Sequence, residues 1–219
     1  MDNLVSFGEA VYKSITPSPS TFFVKTLHLT SVSFFTLDIC SIVGKFKFLE
    51  SLNLTKCDGI RYLTIDEYHY LRCLTVLDCP DLYFIWIIHV VLQSIRFRGR
   101  VCQICSVGDW VFADDAMLHF REGRGDGGVG SLEFYYPNLS VIANVRILTL
   151  CKWTFEAVIG PALFSGRKDF RFNELKELLW INSSIEENKF DALFFFLKFC
   201  PSLERLFIKV QYSVLNYVI

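Results

Sequence analysis

A nine-residue pattern written twice, 22 residues apart, constrains this chain more than any other feature. Leu49-Glu-Ser-Leu52-Asn-Leu54-Thr-Lys-Cys57 and Leu71-Arg-Cys-Leu74-Thr-Val76-Leu-Asp-Cys79 agree at every framework position of L-x-x-L-x-L-x-x-C. A third copy starts at Leu92, continues through Ile95 and Phe97, and carries Arg100 where the others have cysteine. Halfway between the copies, Ile60, Leu63 and Ile65, and then Leu82, Ile85 and Ile87, repeat the spacing, so apolar starts fall at 49, 60, 71, 82 and 92. Such a beat predicts stacked coils, each with a strand on one side and a second extended segment on the other. Residues two apart on a strand share a face, so Leu52 and Leu54 point into a core while Asn53 points to solvent. The closing cysteine, small and soft, packs beneath the turn that leaves the strand. A single coil cannot cover its own apolar face; stacking buries it.

Looser copies flank this block. Val24, Leu27 and Leu29 precede it, and further starts at Val145, Leu175 and Leu203 imply coils of 28 to 30 residues, with room for a helix. Asp191 to Cys200 is the expected helix: Leu193, Phe196, Leu197 and Cys200 recur at helical spacing and Pro201 closes it. The expected fold class is α/β, an irregular leucine-rich-repeat solenoid, horseshoe-like, with parallel strands and short helices in the C-terminal coils. It is read as a single domain over 1–219. Regular repeats span 22–100, an irregular stretch spans 101–144 with a Gly-rich loop at 121–130, and longer repeats span 145–210. Within the irregular stretch Ala116 to Phe120 alternates like a strand, and 131–144 has room for a helix broken at Pro137.

Composition supports a buried core: 52% of residues are hydrophobic and 21% charged, too apolar for disorder. The longest apolar run, Leu82 to Leu92, is about half the roughly 20 residues a membrane helix needs and contains His89, so it reads as buried strand. Met1 to Glu9 lacks the basic start and apolar stretch of a signal peptide. No membrane association is expected, and the expected location is cytoplasmic and/or nuclear. The net charge of −1 gives no basic excess for nucleic acid. Arg96, Arg98 and Arg100, at period two, are expected to form the solvated face of one strand rather than a phosphate patch. The eight cysteines, lacking a secretory context, are expected to be unpaired.

Motifs that carry chemistry elsewhere do not assemble here. Cys102-Gln-Ile-Cys105 has the spacing of half a zinc site, but no second pair of ligands lies at metal spacing, and it follows a strand-like run rather than opening a helix. His28, His69, His89 and His119 are scattered, with His28 and His119 on outward strand positions. Asp114-Asp115 and Glu186-Glu187 are adjacent carboxylates, which strands send to opposite sides. Gly123 to Gly130 lacks the Lys-Ser/Thr of a phosphate loop. No catalytic residue, cofactor or metal ligand is therefore expected, and the chain is not expected to be an enzyme. The outward strand positions, Asn53, Thr75 and Arg96 in the regular block, are the candidates for contact with a partner.

The wording of the repeats resembles the plant F-box/LRR-repeat protein family. The resemblance rests on Leu49-Glu-Ser-Leu-Asn-Leu-Thr-Lys-Cys-Asp-Gly-Ile, Leu71-Arg-Cys-Leu-Thr-Val-Leu-Asp-Cys-Pro-Asp-Leu, Leu92-Gln-Ser-Ile-Arg-Phe-Arg-Gly, Asn144-Val-Arg-Ile-Leu-Thr-Leu, Phe172-Asn-Glu-Leu-Lys-Glu-Leu and Phe196-Leu-Lys-Phe-Cys-Pro-Ser-Leu-Glu-Arg-Leu206. It covers roughly residues 22 to 210. It implies a protein-protein interaction scaffold, like the substrate-recognition region of an F-box-type SCF ubiquitin ligase receptor, holding a protein target. Residues 1 to 23 are too short for an F-box and are broken by Thr16-Pro-Ser-Pro-Ser20, so a Skp-type adaptor and cullin are expected as partners only through an F-box supplied elsewhere. The alternatives are a small-molecule-sensing repeat protein, with the loop at 121–130 over a pocket, and an F-box-less repeat protein without ligase activity.

Overall fold

In the computed structural model, which describes residues 23–34, 39–66, 70–107, 114–122, 142–164, 170–182 and 190–210, each repeated apolar pair becomes the inward side of a short strand. The strands are β1 (Thr26–Thr30), β2 (Ser51–Thr55), β3 (Tyr62–Ile65), β4 (Cys73–Leu77), β5 (Phe84–Ile88), β6 (Ser94–Arg100), β7 (Gln103–Val107), β8 (Asp115–Glu122), β9 (Ile147–Cys151), β10 (Glu177–Asn182) and β11 (Arg205–Val210). They divide between an eight-stranded sheet, ordered β1-β2-β4-β6-β8-β9-β10-β11, and a three-stranded sheet, ordered β3-β5-β7. All pairings are parallel. From β2 to β8 the chain alternates between the sheets, one strand of each per coil. The two apolar beats of the sequence are thus the two sheets.

Register turns the repeat into ladders. Leu52 pairs with Leu74, Leu74 with Ile95, Ile95 with Ala116, Ala116 with Leu148 and Leu148 with Leu178. All of these are buried, and so is the parallel ladder Leu54, Val76, Phe97, Leu118, Leu150 and Trp180. Leu63, Ile85 and Ile104 face them from the small sheet in the same core cluster. Fully burying such a side chain is worth about 1.5–3 kcal/mol, and each ladder rung gets its burial from the coil next door.

β7 and β8 lie inside the stretch that the sequence reads as irregular, yet both keep register with the coil before them. Ala116 sits one 21-residue step beyond Ile95, but a methyl where the other copies carry leucine hides the motif. Aromatic bulk follows further along each strand, at Phe97, two positions past Ile95, and at Phe120, four past Ala116, and their rings pack 5.2 Å apart. Of the Gly-rich loop expected at 121–130, Arg121 and Glu122 instead continue β8, since they stay paired alongside β6. Its remaining residues, most of the helix expected before Val145, His69, Glu186-Glu187 and Thr16 to Ser20 lie outside the described residues.

Where a coil has no second strand, a helix takes its place. α1 (Ile39–Val43) links β1 to β2. After β9, α2 (Lys152–Thr154) passes through a π-helical turn (Phe155–Ile159) into α3 (Gly160–Phe164). Between β10 and β11, α4 (Asp191–Leu197) buries Leu193 and Phe196, as the spacing predicts. No helix among the described residues is long and apolar enough to cross a membrane. Thr154, fully buried, binds the last coil of the regular block to the first long one: its hydroxyl accepts the Phe120 N–H at 2.8 Å and meets the Cys151 sulfur at 2.9 Å.

β1, β2 and β4 of the large sheet end in the same backbone device. Ser31, Lys56 and Asp78 occupy equivalent positions with φ of 55°, 52° and 56°, and their N–H groups donate to Thr55, Leu77 and Arg98 on the next strand. The left-handed turn lifts the chain out of the sheet, which is where the motif cysteine is needed. Cys57 is buried beneath it, its thiol donating to the carbonyls of Leu29 (3.4 Å) and Thr55 (3.5 Å). Cys79 repeats the arrangement on Leu77.

Gly59, in the next turn, has φ of 78°, and an added Cβ would lie 3.0 Å from the Phe34 carbonyl. Its N–H donates to Asp81 Oδ2 at 2.7 Å. Gly59→Ala is expected to cost about 2–3 kcal/mol, combining left-handed strain with displacement of the Phe34 backbone. Urea unfolding checks this; a loss below about 0.5 kcal/mol would show that the turn relaxes freely.

Candidate binding surface

Because neighbouring strands are parallel and in register, their outward side chains also line up, in rows that cross all the coils. The central row of the large sheet joins His28, Asn53, Thr75, Arg96, Met117, Thr149, Leu179 and Phe207 by consecutive Cα pairing. The three outward candidates from the sequence, Asn53, Thr75 and Arg96, are thus consecutive members of one row. A second row runs through Ser51, Cys73, Ser94, Asp115, Ile147, Glu177 and Arg205. A third runs through Thr30, Thr55, Leu77, Arg98 and His119.

The middle of this face is charged. Arg96 donates to Asp115 Oδ2 through Nε (3.1 Å) and Nη2 (2.5 Å), and Ser94 Oγ donates to the same oxygen at 3.2 Å. Arg98 grips Asp78 with both ends of its fork, at 3.1 and 2.5 Å. Arg121 stands 3.8 Å from that same carboxylate. Three guanidinium groups therefore share two carboxylates. Arg96, Arg98 and Arg100 do share the outward side of β6, with Arg96 exposed and Arg98 and Arg100 half-buried, but Arg96 and Arg98 are each paired with a carboxylate from a neighbouring coil rather than solvated alone. Asp78 and Arg121 were not singled out by the sequence, and Asp115 only as half of a carboxylate pair, because their pairing with the arginines depends on register between coils 19 to 43 residues apart.

His119 lies half-buried on β8, between these groups. Its pKa is lowered first by burial and then by the positive charge of Arg121 and Arg98, with Asp78 opposing. A histidine whose folded value lies below its unfolded value of about 6.5 stabilises the fold fully above that pH. The contribution is lost as pH falls below it, since the unfolded chain takes the proton first. His119→Gln should therefore flatten the fall in melting temperature between pH 7.5 and 5; an unchanged slope would place the acid sensitivity elsewhere.

The remaining sequence candidates do not converge. Cys102 is fully buried and Cys105 half-buried on β7. Positions three apart on extended chain face opposite sides, so the pair does not present two thiols to one point. Burial holds both above the ordinary thiol value. All eight cysteines are free thiols. Among the described residues no three His, Cys, Asp or Glu side chains gather as a metal ion would require. Exposed His28 lies at the start of the central row, and His89 ends β5 with φ of 53°.

The small sheet has a different outward face. Tyr62, Phe84 and Trp86 stack with centroids 5.8–6.1 Å apart and interplanar angles of 11–23°. Beside them Phe34, Gly59, Arg61, Tyr62, Asp81 and Tyr83 line an open groove of about 690 Å³. These rings alternate with the buried Leu63, Ile65, Ile85 and Ile87, and register between β3 and β5 brings them together.

Stacked parallel coils, one strand row lined with buried leucines and outward rows spanning every coil, define a leucine-rich-repeat domain. The chain belongs to the At1g61320/AtMIF1 LRR-domain family, whose model matches residues 16–218. The repeat part of the resemblance is thus shown, as a plant leucine-rich-repeat family; the F-box part is not. The family places the chain among proteins whose repeats serve protein-protein interaction in general. No curated protein and no solved structure matches the chain.

Proposed function

We propose that this chain is a non-catalytic scaffold that holds a protein partner on the outward face of its eight-stranded sheet. The observation that carries the reading is the in-register stacking of all eight strands, which sets side chains from every coil side by side on one face. Binding surfaces of this kind gather many modest contacts on a rigid frame, which limits the ordering cost of association. The finer reading is that the partner is a substrate to be ubiquitylated, as in an F-box-type SCF receptor with the Skp-type adaptor joined through another segment or chain. It rests on the wording of the repeats.

Affinity capture with the purified chain tests the surface. Asn53→Tyr combined with Thr75→Tyr should abolish recovery of the partner at unchanged melting temperature, whereas Tyr62→Ser with Trp86→Ser on the small sheet should not. The reverse pattern moves the site to the small sheet. For the ligase role, fusing an F-box to the chain should lead to ubiquitylation of the captured partner in a reconstituted reaction; an untouched partner removes that role and leaves the scaffold.

A second reading has one observation in its favour. The groove beside Tyr62 falls in the size range of small-molecule sites and combines aromatic walls with the Arg61 and Asp81 charges. A small ligand seated there would raise the melting temperature of the chain, and that gain would vanish in Tyr62→Ser.

A further inference from the structure

The outward face of the large sheet changes character along the stack. Over β1 to β4 its central row is polar, with His28, Asn53 and Thr75. Over β6 and β8 it carries the arginine group. Over β9 the central row still carries Thr149, beside Ile147 at 40% exposed, and over β10 and β11 it turns apolar, with Leu179 and then Phe207, which is 50% exposed. The flanking charges there, Glu177 and Arg205, are paired with each other.

We infer that this face selects an extended partner segment with an acidic residue followed, about four positions on, by an apolar one. The inference deepens the scaffold reading and rests on it. Charge complementarity supplies the first half. Two carboxylates shared among Arg96, Arg98 and Arg121 leave cationic capacity over, and the Arg96 side chain is 53% exposed. A partner carboxylate beside Arg96, the most exposed of the three, meets that excess without displacing Asp78 from its two-pronged contact with Arg98. A basic segment would instead meet like charge, which costs affinity and selects against it.

Geometry supplies the spacing. Neighbouring strands lie about 4.8 Å apart, so β6 to β9 is two steps, or roughly 10 Å, and β6 to β10 is three, or roughly 14 Å. Extended chain advances about 3.3 Å per residue and only positions of even separation share a face, so an acidic residue over Arg96 puts the residue four positions on over Leu179, in the same central row. The segment crosses the strands rather than joining the sheet, because the strands between β2 and β10 already have neighbours on both sides.

Fluorescence polarisation with the full chain tests this. The probe peptide carries two glutamates, a Gly-Ser spacer and then Leu-Phe. It should bind, weaken as salt rises, and bind at least about tenfold more tightly than versions with lysine for glutamate or serine for Leu-Phe. Arg96→Glu should lose the acidic peptide and gain the lysine one. Leu179→Ser should weaken the acidic peptide about as much as removing its Leu-Phe, and serves if Arg96→Glu lowers the melting temperature. Equal binding of glutamate and lysine peptides, or no binding of either, overturns the inference. The scaffold reading fails separately: a captured partner lost with Asn53→Tyr/Thr75→Tyr but kept by both Arg96→Glu and Leu179→Ser leaves the surface standing and removes only the acidic-apolar segment.

Discussion

Trp180→Ala is expected to lower the unfolding free energy by about 3–5 kcal/mol, the range for removing a large aromatic from a packed core. Trp180 is fully buried on β10, 5.7 Å from Phe155 and 6.0 Å from Phe196, and Phe196 in turn packs 5.1 Å from Phe172. These rings join α4, the π-helical turn and the sheet, so a cavity at their centre is not closed by moving one element. Among the described residues the indole Nε1 has no hydrogen-bond partner. Trp180→Phe removes that buried N–H while keeping most of the ring, and should cost about 1 kcal/mol or less. Equal losses for the two variants would show that ring packing is not the source of the stability. Coils in a repeat stack depend on their neighbours, so hydrogen exchange in Trp180→Ala should quicken over β9 to β11 before it does over β2 to β6.

Leu74→Asp tests the regular block with a larger effect still. Leu74 stands between Leu52 and Ile95 in a ladder with no water access. A lone carboxylate there has no cation to meet, and a loss above about 4 kcal/mol, enough to prevent folding, is expected. Thr75→Asp moves the same charge by one residue and reverses the outcome. Thr75 faces outward and is the Cα partner of Arg96, so its carboxylate gains a cationic neighbour and stability should change by less than about 1 kcal/mol. Circular dichroism and urea titration of the two variants compare the sides directly. Similar losses would mean that the inward and outward assignment of β4 is wrong.

That contrast marks how far the residues speak for themselves. The alternation of Leu52, Asn53 and Leu54 states which side is buried before any strand is seen, since period two belongs to strands alone. The half-beat at Ile60 and Leu82 likewise announces the small sheet. Ala116 shows where this ends: with the leucine lost, nothing local marks β8 as a rung of the large sheet, and only pairing with β6 reveals it. Cys102 and Cys105 show the converse, a familiar spacing whose geometry fails on extended chain.

The binding surface was legible only as a direction. Asn53, Thr75 and Arg96 could be named as outward because side-chain alternation is a property of one strand. Their meeting with His28, Met117 and Leu179 in one row is a property of register between strands 21 to 32 residues apart, which no single segment encodes. The same holds for Asp78, which receives Arg98 and Arg121 from two other coils. What the sequence determined by itself was therefore the coil: its length, its buried side and its cysteine-sealed turn, all set by contacts within about 22 residues. Tertiary structure alone decided what the coils display together, because charges and rings on separate coils become neighbours only when burial of the leucine ladders locks the stack in register.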